Sequence, residues 1–343
     1  MKASFVSSAA VSQALRYSLV RAQSDLVKAQ KEADSGLVAD TGLALGVRTS
    51  QSVTFRRDFD RLNGITDSNA LVTARLTSTQ KALTQMQDVA QGLFSTLTSG
   101  VSGEASFEIT EAGAKNALAS INSLLNSNFN GEYLFAGINT DAKPVDDAAT
   151  KAAFEAAFTA HFSFPSDDPQ AANITAAEIG AFMDDLVESS LLDGGWEDWS
   201  DATDQNIVSR VALNETLETS VNANAEAFRK LTLAAAAISG LLSSNINDSA
   251  KTALVEHTVT LVGEAIGDLS KLQATTGLTE QRVTDATNRT KMQADIYERS
   301  ILDLEGVDPY EAVTRVNDIV AQIEASYAMT ARIQQLSLLR FLS

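Results

Sequence analysis

The sequence predicts a mainly α protein: an elongated, folded-back helical rod, built as a coiled-coil bundle from both ends of the chain. A short β-hairpin and a small inserted outer domain complete it. Three observations carry this. Residues 1–35 and 308–343 are both Ala-, Ser- and Gln-rich, contain no glycine, and place apolar residues at helical spacing. The 343 residues include only four prolines and 6% aromatics, which favours long uninterrupted helices over sheets. From Ile65 to Leu97 the apolar positions follow a sustained 4-3 spacing.

The N-terminal stretch puts Val11, Leu15, Ala22 and Leu26 on one helical face. Small and large residues mix there, so the helix needs a partner to be stable in water. Gly36, Gly42 and Gly46 then punctuate an apolar run over 35–50 that reads as a loop or brief extended segment. Its spacing fits neither G-x-G-x-x-G nor a phosphate-binding loop with lysine.

The strongest helix begins at Ile65. Ile65, Val72, Leu76, Leu83, Met86 and Leu93 define a seam, with Asn69 and Thr79 as polar positions that fix register. Gly100 and Gly103 end it. A second helix covers Glu111 to Asn126. Asn130-Gly131 is a hairpin signal, with an apolar, aromatic strand over Glu132–Ala136 and a boundary at Pro144.

Two helices follow, near 148–160 and 176–192, separated by Pro165 and Pro169. Trp196 and Trp199 are expected to pack a small local core; sugar stacking is the alternative. Helix is expected to resume near Ile207, with Phe228, Leu231 and Ile238 continuing the rod seam. A weak point falls at 245–248, and a separate, more polar helix is expected over 278–304. Asp308, Pro309 and Glu311 spell N-cap, N1 and N3 of a final helix carrying Val316, Ile323, Tyr327 and Leu336.

Charge narrows the function classes. Net charge is −18, and residues 141–205 hold 15 acidic residues against 2 lysines. That balance argues against a nucleic-acid partner, because phosphate binding needs clustered cations. No apolar run is long enough to span a membrane, so membrane insertion is not expected. The start shows no apolar core of a conventional signal peptide. The absence of cysteine removes disulfides and thiolate chemistry.

Catalytic constellations are lacking. His161 and His257 stand far apart, and H-E-x-x-H does not occur. The acidic pairs Asp167-Asp168 and Asp184-Asp185 read as solvated surface charge. Asp303, Glu305, Asp308 and Glu311 do not meet the EF-hand pattern. No enzyme activity, cofactor or metal is expected.

Three stretches resemble the flagellin superfamily, and within it the hook–filament junction proteins. They are the first helix with SGLVADTGLALGVRTSQSV, the segment NGEYLFAGINTDAKPV, and the ending DPYEAVTRVNDIVAQIEASYAMTARIQQLSLLRFL. The middle one is the most specific: Gly131, Tyr133, Leu134, Phe135, Ala136 and Gly137 match a Gly-x-Tyr-Leu-Phe-Ala-Gly pattern ahead of a proline. The resemblance implies three domains. Residues 1–35 with 305–343 would be inner-core helices, disordered until assembly, with Val11, Leu15, Leu26, Val316, Ile323, Tyr327 and Leu336 at the assembly interface. Residues 36–140 with 206–304 would be the helical rod, and 141–205 an acidic, exposed inserted domain. The implied partners are like subunits in a ring or helical array, an adjoining hook-associated protein, flagellin, and an export chaperone. The implied location is the extracellular flagellum, reached through the flagellar export channel. Flagellin itself is the alternative, and a carbohydrate-binding or carbohydrate-acting surface protein a distant one.

Overall fold

The computed structural model describes residues 8–192 and 195–341, and their side chains except those of 8, 9, 12 and 333–341. In chain order the elements are α1 (Ser8–Ser35), α2 (Thr41–Leu45), a 3-10 turn (Gly46–Arg48), α3 (Thr49–Val101), α4 (Phe107–Leu125), β1 (Asn128–Phe129) and β2 (Glu132–Tyr133). There follow α5 (Asp147–Phe162), α6 (Ala176–Leu191), β3 (Val208–Ala212), β4 (Glu215–Glu218), α7 (Glu226–Leu241), α8 (Asp248–Glu305) and α9 (Pro309–Phe341). The protein is mainly α, with two short antiparallel hairpins among the described residues. It divides into a terminal unit, up to Gly64 and from Lys291, and a central unit, Ile65–Thr290.

In the terminal unit α1 and α9 run antiparallel. Gln23 Nε2 donates to Tyr327 Oη at 3.2 Å, and Arg315 Nη1 to Glu32 Oε2 at 2.9 Å. On α1, Leu15, Leu19, Ala22, Leu26 and Ala29 are the less exposed positions; on α9 they are Ala312, Val316, Ile319 and Ile323. Both sets follow 4-3 spacing, so each helix turns a heptad seam to the other. Asp308 caps α9 by accepting from the Tyr310 N–H at 2.8 Å. Glu311, expected to close a capping box, pairs with Arg315 at 2.8 Å.

The inner ends of these helices are tied together. Leu37 bridges Gly306; Val38 N–H donates to Glu305 O at 2.8 Å, and Val307 N–H to Gly36 O at 3.0 Å. The segment expected as a loop, 35–50, contains α2, capped by Asp40 accepting from Leu43 N–H at 3.0 Å. α3 begins at Thr49, well before Ile65. Its first turns are mostly polar, so they present no apolar stripe for periodicity to detect.

In the central unit α3 buries Asn69, Leu76, Thr79, Leu83, Met86, Ala90, Leu93 and Leu97, with Ile65 and Val72 half-buried. α8 faces α3 in antiparallel sense. Asn69 Nδ2 donates to Thr287 Oγ1 at 3.0 Å, Thr77 Oγ1 to Glu280 Oε1 at 2.7 Å, and Gln80 Nε2 to Gln273 O at 3.2 Å. The separate helix expected over 278–304 is the continuation of α8. Nothing there interrupts the backbone, because the change was only in polarity.

Two further expectations change. Residues 208–218 form the β3–β4 hairpin, not a helix. Val211 and Leu217 point inward onto Leu76 and Val283 while Val208 and Arg210 point out, an alternation of period two. Nor do Phe228, Leu231 and Ile238 extend a coiled-coil stripe. α7 is buried on nearly all sides, from Ala227 to Leu241, so it is the central helix of the unit. The acidic segment shares that core: Phe154 and Phe158 of α5 pack edge-on against Phe182 of α6, beside α7. Residues 141–205 therefore belong to the central unit, with their charges on its outside.

Candidate assembly surfaces

The segment singled out at 131–137 is a structural staple. Asn130 (φ 54°) and Gly131 (φ 87°) make the two-residue turn between β1 and β2, where left-handed backbone suits asparagine and glycine. Tyr133 is half-buried, and Leu134, Phe135 and Ala136 are fully buried. The Phe135 ring meets Phe228 edge-on at 5.5 Å, and its carbonyl accepts from Ala223 N–H at 2.7 Å. Gly137 (φ 72°) closes the staple; a Cβ there would lie 2.7 Å from Gln205 O and nearer still to Thr203. Arg75 of α3 donates to Glu132 at 2.6 Å and to Tyr133 O at 2.9 Å. The motif thus joins α3, α7 and the strand-rich loop in one core.

Charged groups in the central unit serve packing. Lys230 is buried and lies 2.7, 3.2 and 3.0 Å from Glu226, Glu264 and Asp268. Burial opposes its charge, but the three carboxylates outweigh that and raise its pKa. His161 lies 3.2 Å from Asp185 and His257 3.8 Å from Asp184, so both pair with neighbouring aspartates of α6. No group of three metal-ligating side chains occurs among the described residues. Trp196 and Trp199 stack on each other at 5.1 Å and 5°, exposed by only 4% and 5%. Neither face is open to a sugar.

The terminal unit differs. Val11, Leu15, Leu26, Val316 and Ile323 lie half-buried on the faces that α1 and α9 turn to each other, Tyr327 is exposed, and the Leu336 side chain is outside those described. What stays open is the outer face: Tyr17, Val20 and Val27 on α1, and Tyr310, Val313 and Met329 on α9, with Tyr310 at 88% exposure. Periodicity found the seam because it is the more regular stripe. It missed the outer face, whose apolar residues are diluted by arginine and lysine. So much exposed apolar area on two helices marks a protein–protein surface.

The comparisons agree with this geometry. Residues 6–140 match the bacterial flagellin N-terminal helical region, and 259–342 the bacterial flagellin C-terminal helical region. The chain belongs to the flagellin superfamily. This is a family of structural subunits, not enzymes, and its place is the extracellular flagellum. Membership carries self-assembly with like subunits. No curated protein matches the sequence. A solved structure from Vibrio parahaemolyticus, described as a candidate flagellar hook-associated protein, is similar in fold: TM-score 0.53 at 10% identity, over 75% of this chain and 97% of that one. No described helix of this flagellin-superfamily chain is long and apolar enough to cross a membrane.

Proposed function

We propose that this chain is a hook–filament junction protein, a structural subunit joining the flagellar hook to the flagellin filament. The Gly131–Gly137 staple carries the reading: it is the segment most like the junction proteins, and it is built into the core rather than displayed on a variable surface. The hook-associated description of the Vibrio structure agrees. Residues 1–35 and 305–343 form the inner core, 36–140 and 206–304 the rod, and 141–205 the outward face. The α1–α9 pair folds on assembly, because two helices alone bury too little to offset their chain entropy. The open face holding Val20 and Tyr310 is then covered by like subunits, at about 25 cal/mol per Å². A hook-associated protein and flagellin adjoin it, and a chaperone escorts the unfolded chain to the export channel.

The test is polymerisation of the full chain, concentrated with precipitating salt and a filament seed, read by sedimentation and electron microscopy. A chain that binds or caps hook ends without growing into filaments supports the junction role. Long uniform filaments would make it flagellin, the second reading, since both helical regions are shared with flagellin. Strong protection of α1 and α9 amides in a dilute monomer would overturn coupled folding.

A further inference from the structure

The terminal unit carries another exposed apolar feature, outside α1 and α9. Leu43 of α2 and Val47 of the 3-10 turn are 80% and 95% exposed. They do not sit on a loose loop. Leu45, between them, is buried; Asp40 caps α2, and Thr49 Oγ1 donates to Gly46 O at 2.7 Å. Gly46 (φ 53°) turns the chain from α2 into the 3-10 turn. Two apolar side chains held outward on a fixed turn lose little freedom on docking. Arg48 is exposed beside them and pairs with no carboxylate among the described residues.

The complement lies on the same unit. Tyr310 and Val313 open the outer face of α9, and both are exposed. Asp308, exposed beside them, accepts from the Tyr310 N–H, and no basic side chain among the described residues pairs with it. Knob and patch therefore each carry an unpaired charge, of opposite sign. They flank the Leu37–Gly306 bridge, the knob following Leu37 and the patch following Gly306. On the assembly reading this is where the inner core meets the rod, so both surfaces lie at the same depth in a subunit. Within one chain they leave each other uncovered, since Leu43, Val47, Tyr310 and Val313 are all exposed. We propose that the Leu43–Val47 knob of one subunit seats on the Tyr310–Val313 patch of a second copy, with Arg48 answering Asp308. Such a contact is head-to-tail, one surface meeting a different one, and it builds rings or helical arrays of like subunits. This rests on the self-assembly reading and names the surfaces that meet.

The chain has no cysteine, so a directed disulfide is a clean test. Val47→Cys and Val313→Cys chains are mixed at high concentration, with and without hook ends, under mild oxidation. The mass of the linked peptides identifies the mixed dimer. One control pair is Val47→Cys with Leu278→Cys, exposed on the central unit; the other is Val20→Cys with Val313→Cys. The expected mixed dimer is at least about tenfold more abundant than either control. Arg48→Gln should lower its yield about threefold, and Asp308→Asn, which keeps the cap, by a similar factor. The two changes together should lower it no further than either alone, because they remove the same pair. Circular dichroism matched to the unmodified chain shows that each variant keeps its fold. A yield no better than the Leu278 control, or equalled by the Val20 pair, overturns the docking. Additive losses in the double variant overturn the pairing of Arg48 with Asp308. Hook-end binding by the unmodified chain is read separately, so docking can fail while the junction role stands.

Discussion

Arg56 and Glu305, 249 residues apart in sequence, form an ion pair in which the carboxylate is fully buried and the guanidinium half exposed. Arg56 Nε donates to Glu305 Oε1 at 3.0 Å, and the Ser52 hydroxyl donates to the same oxygen. The pair sits where α8 ends and the Leu37–Gly306 bridge begins. Arg56 holds the Glu305 carboxyl below the usual glutamate range, against the opposing effect of burial.

A depressed carboxylate pKa contributes stability above its unfolded value, near 4.3, and loses it as pH falls through the folded value. Amide exchange at Val38 and Val307, corrected for intrinsic rates, should therefore rise between about pH 5 and 3. Glu305→Gln should cost about 2–4 kcal/mol at neutral pH and flatten that acid dependence. An unchanged acid profile in the variant would remove Glu305 as its source.

Met86→Asp should destabilise the central unit by about 4 kcal/mol or more, because the position is 1% exposed and an aspartate there has no partner. Leu71→Asp, on the exposed side of the same helix, should stay within about 0.5 kcal/mol. Chemical denaturation of both separates seam from surface.

Gly131 and Gly137 share left-handed backbone but not surroundings. Nothing lies within 4 Å of a Cβ at Gly131, whereas one at Gly137 meets two backbone carbonyls. Gly131→Ala should cost about 1 kcal/mol. Gly137→Ala should cost about 3 kcal/mol or fail to fold, since carbonyls cannot swing aside. Equal melting temperatures would sink the staple.

Asn69 donates to Val211 O at 2.8 Å, tying the β3–β4 hairpin to α3. Asn69→Leu leaves that carbonyl unpaired and should cost about 1–3 kcal/mol. Asn69→Asp should cost more, because a carboxylate there faces the Val211 carbonyl oxygen. Faster exchange confined to the hairpin amides would locate the effect.

Tyr310→Asp should leave the melting temperature of the monomer within about 1 °C, since the side chain contributes little to the fold where it stands. Hook-end binding should be lost. Retained binding would place the assembly face elsewhere.

The legible parts of this fold are those with period and punctuation. The Ile65–Leu97 stripe is a heptad seam, and Asn130-Gly131 turns because both residues accept positive φ. The stretch 208–218 was harder, since Val211 and Leu217 alternate for too few residues to stand out. α7 misled for the opposite reason. A helix buried on every side shows some apolar stripe at any phase chosen, and Phe228, Leu231 and Ile238 are merely one of them.

Gln23 and Tyr327 hydrogen-bond across 304 residues of intervening chain. Such a contact spans most of the length of the polypeptide, and closing so long a loop brings an entropic cost without local reward. On the proposed export route, the N-terminal helix would emerge with its complement still hundreds of residues behind. Under the proposed export, the α1–α9 zipper would close last, and a chain truncated by a few dozen C-terminal residues would lack the half of that zipper that α9 provides.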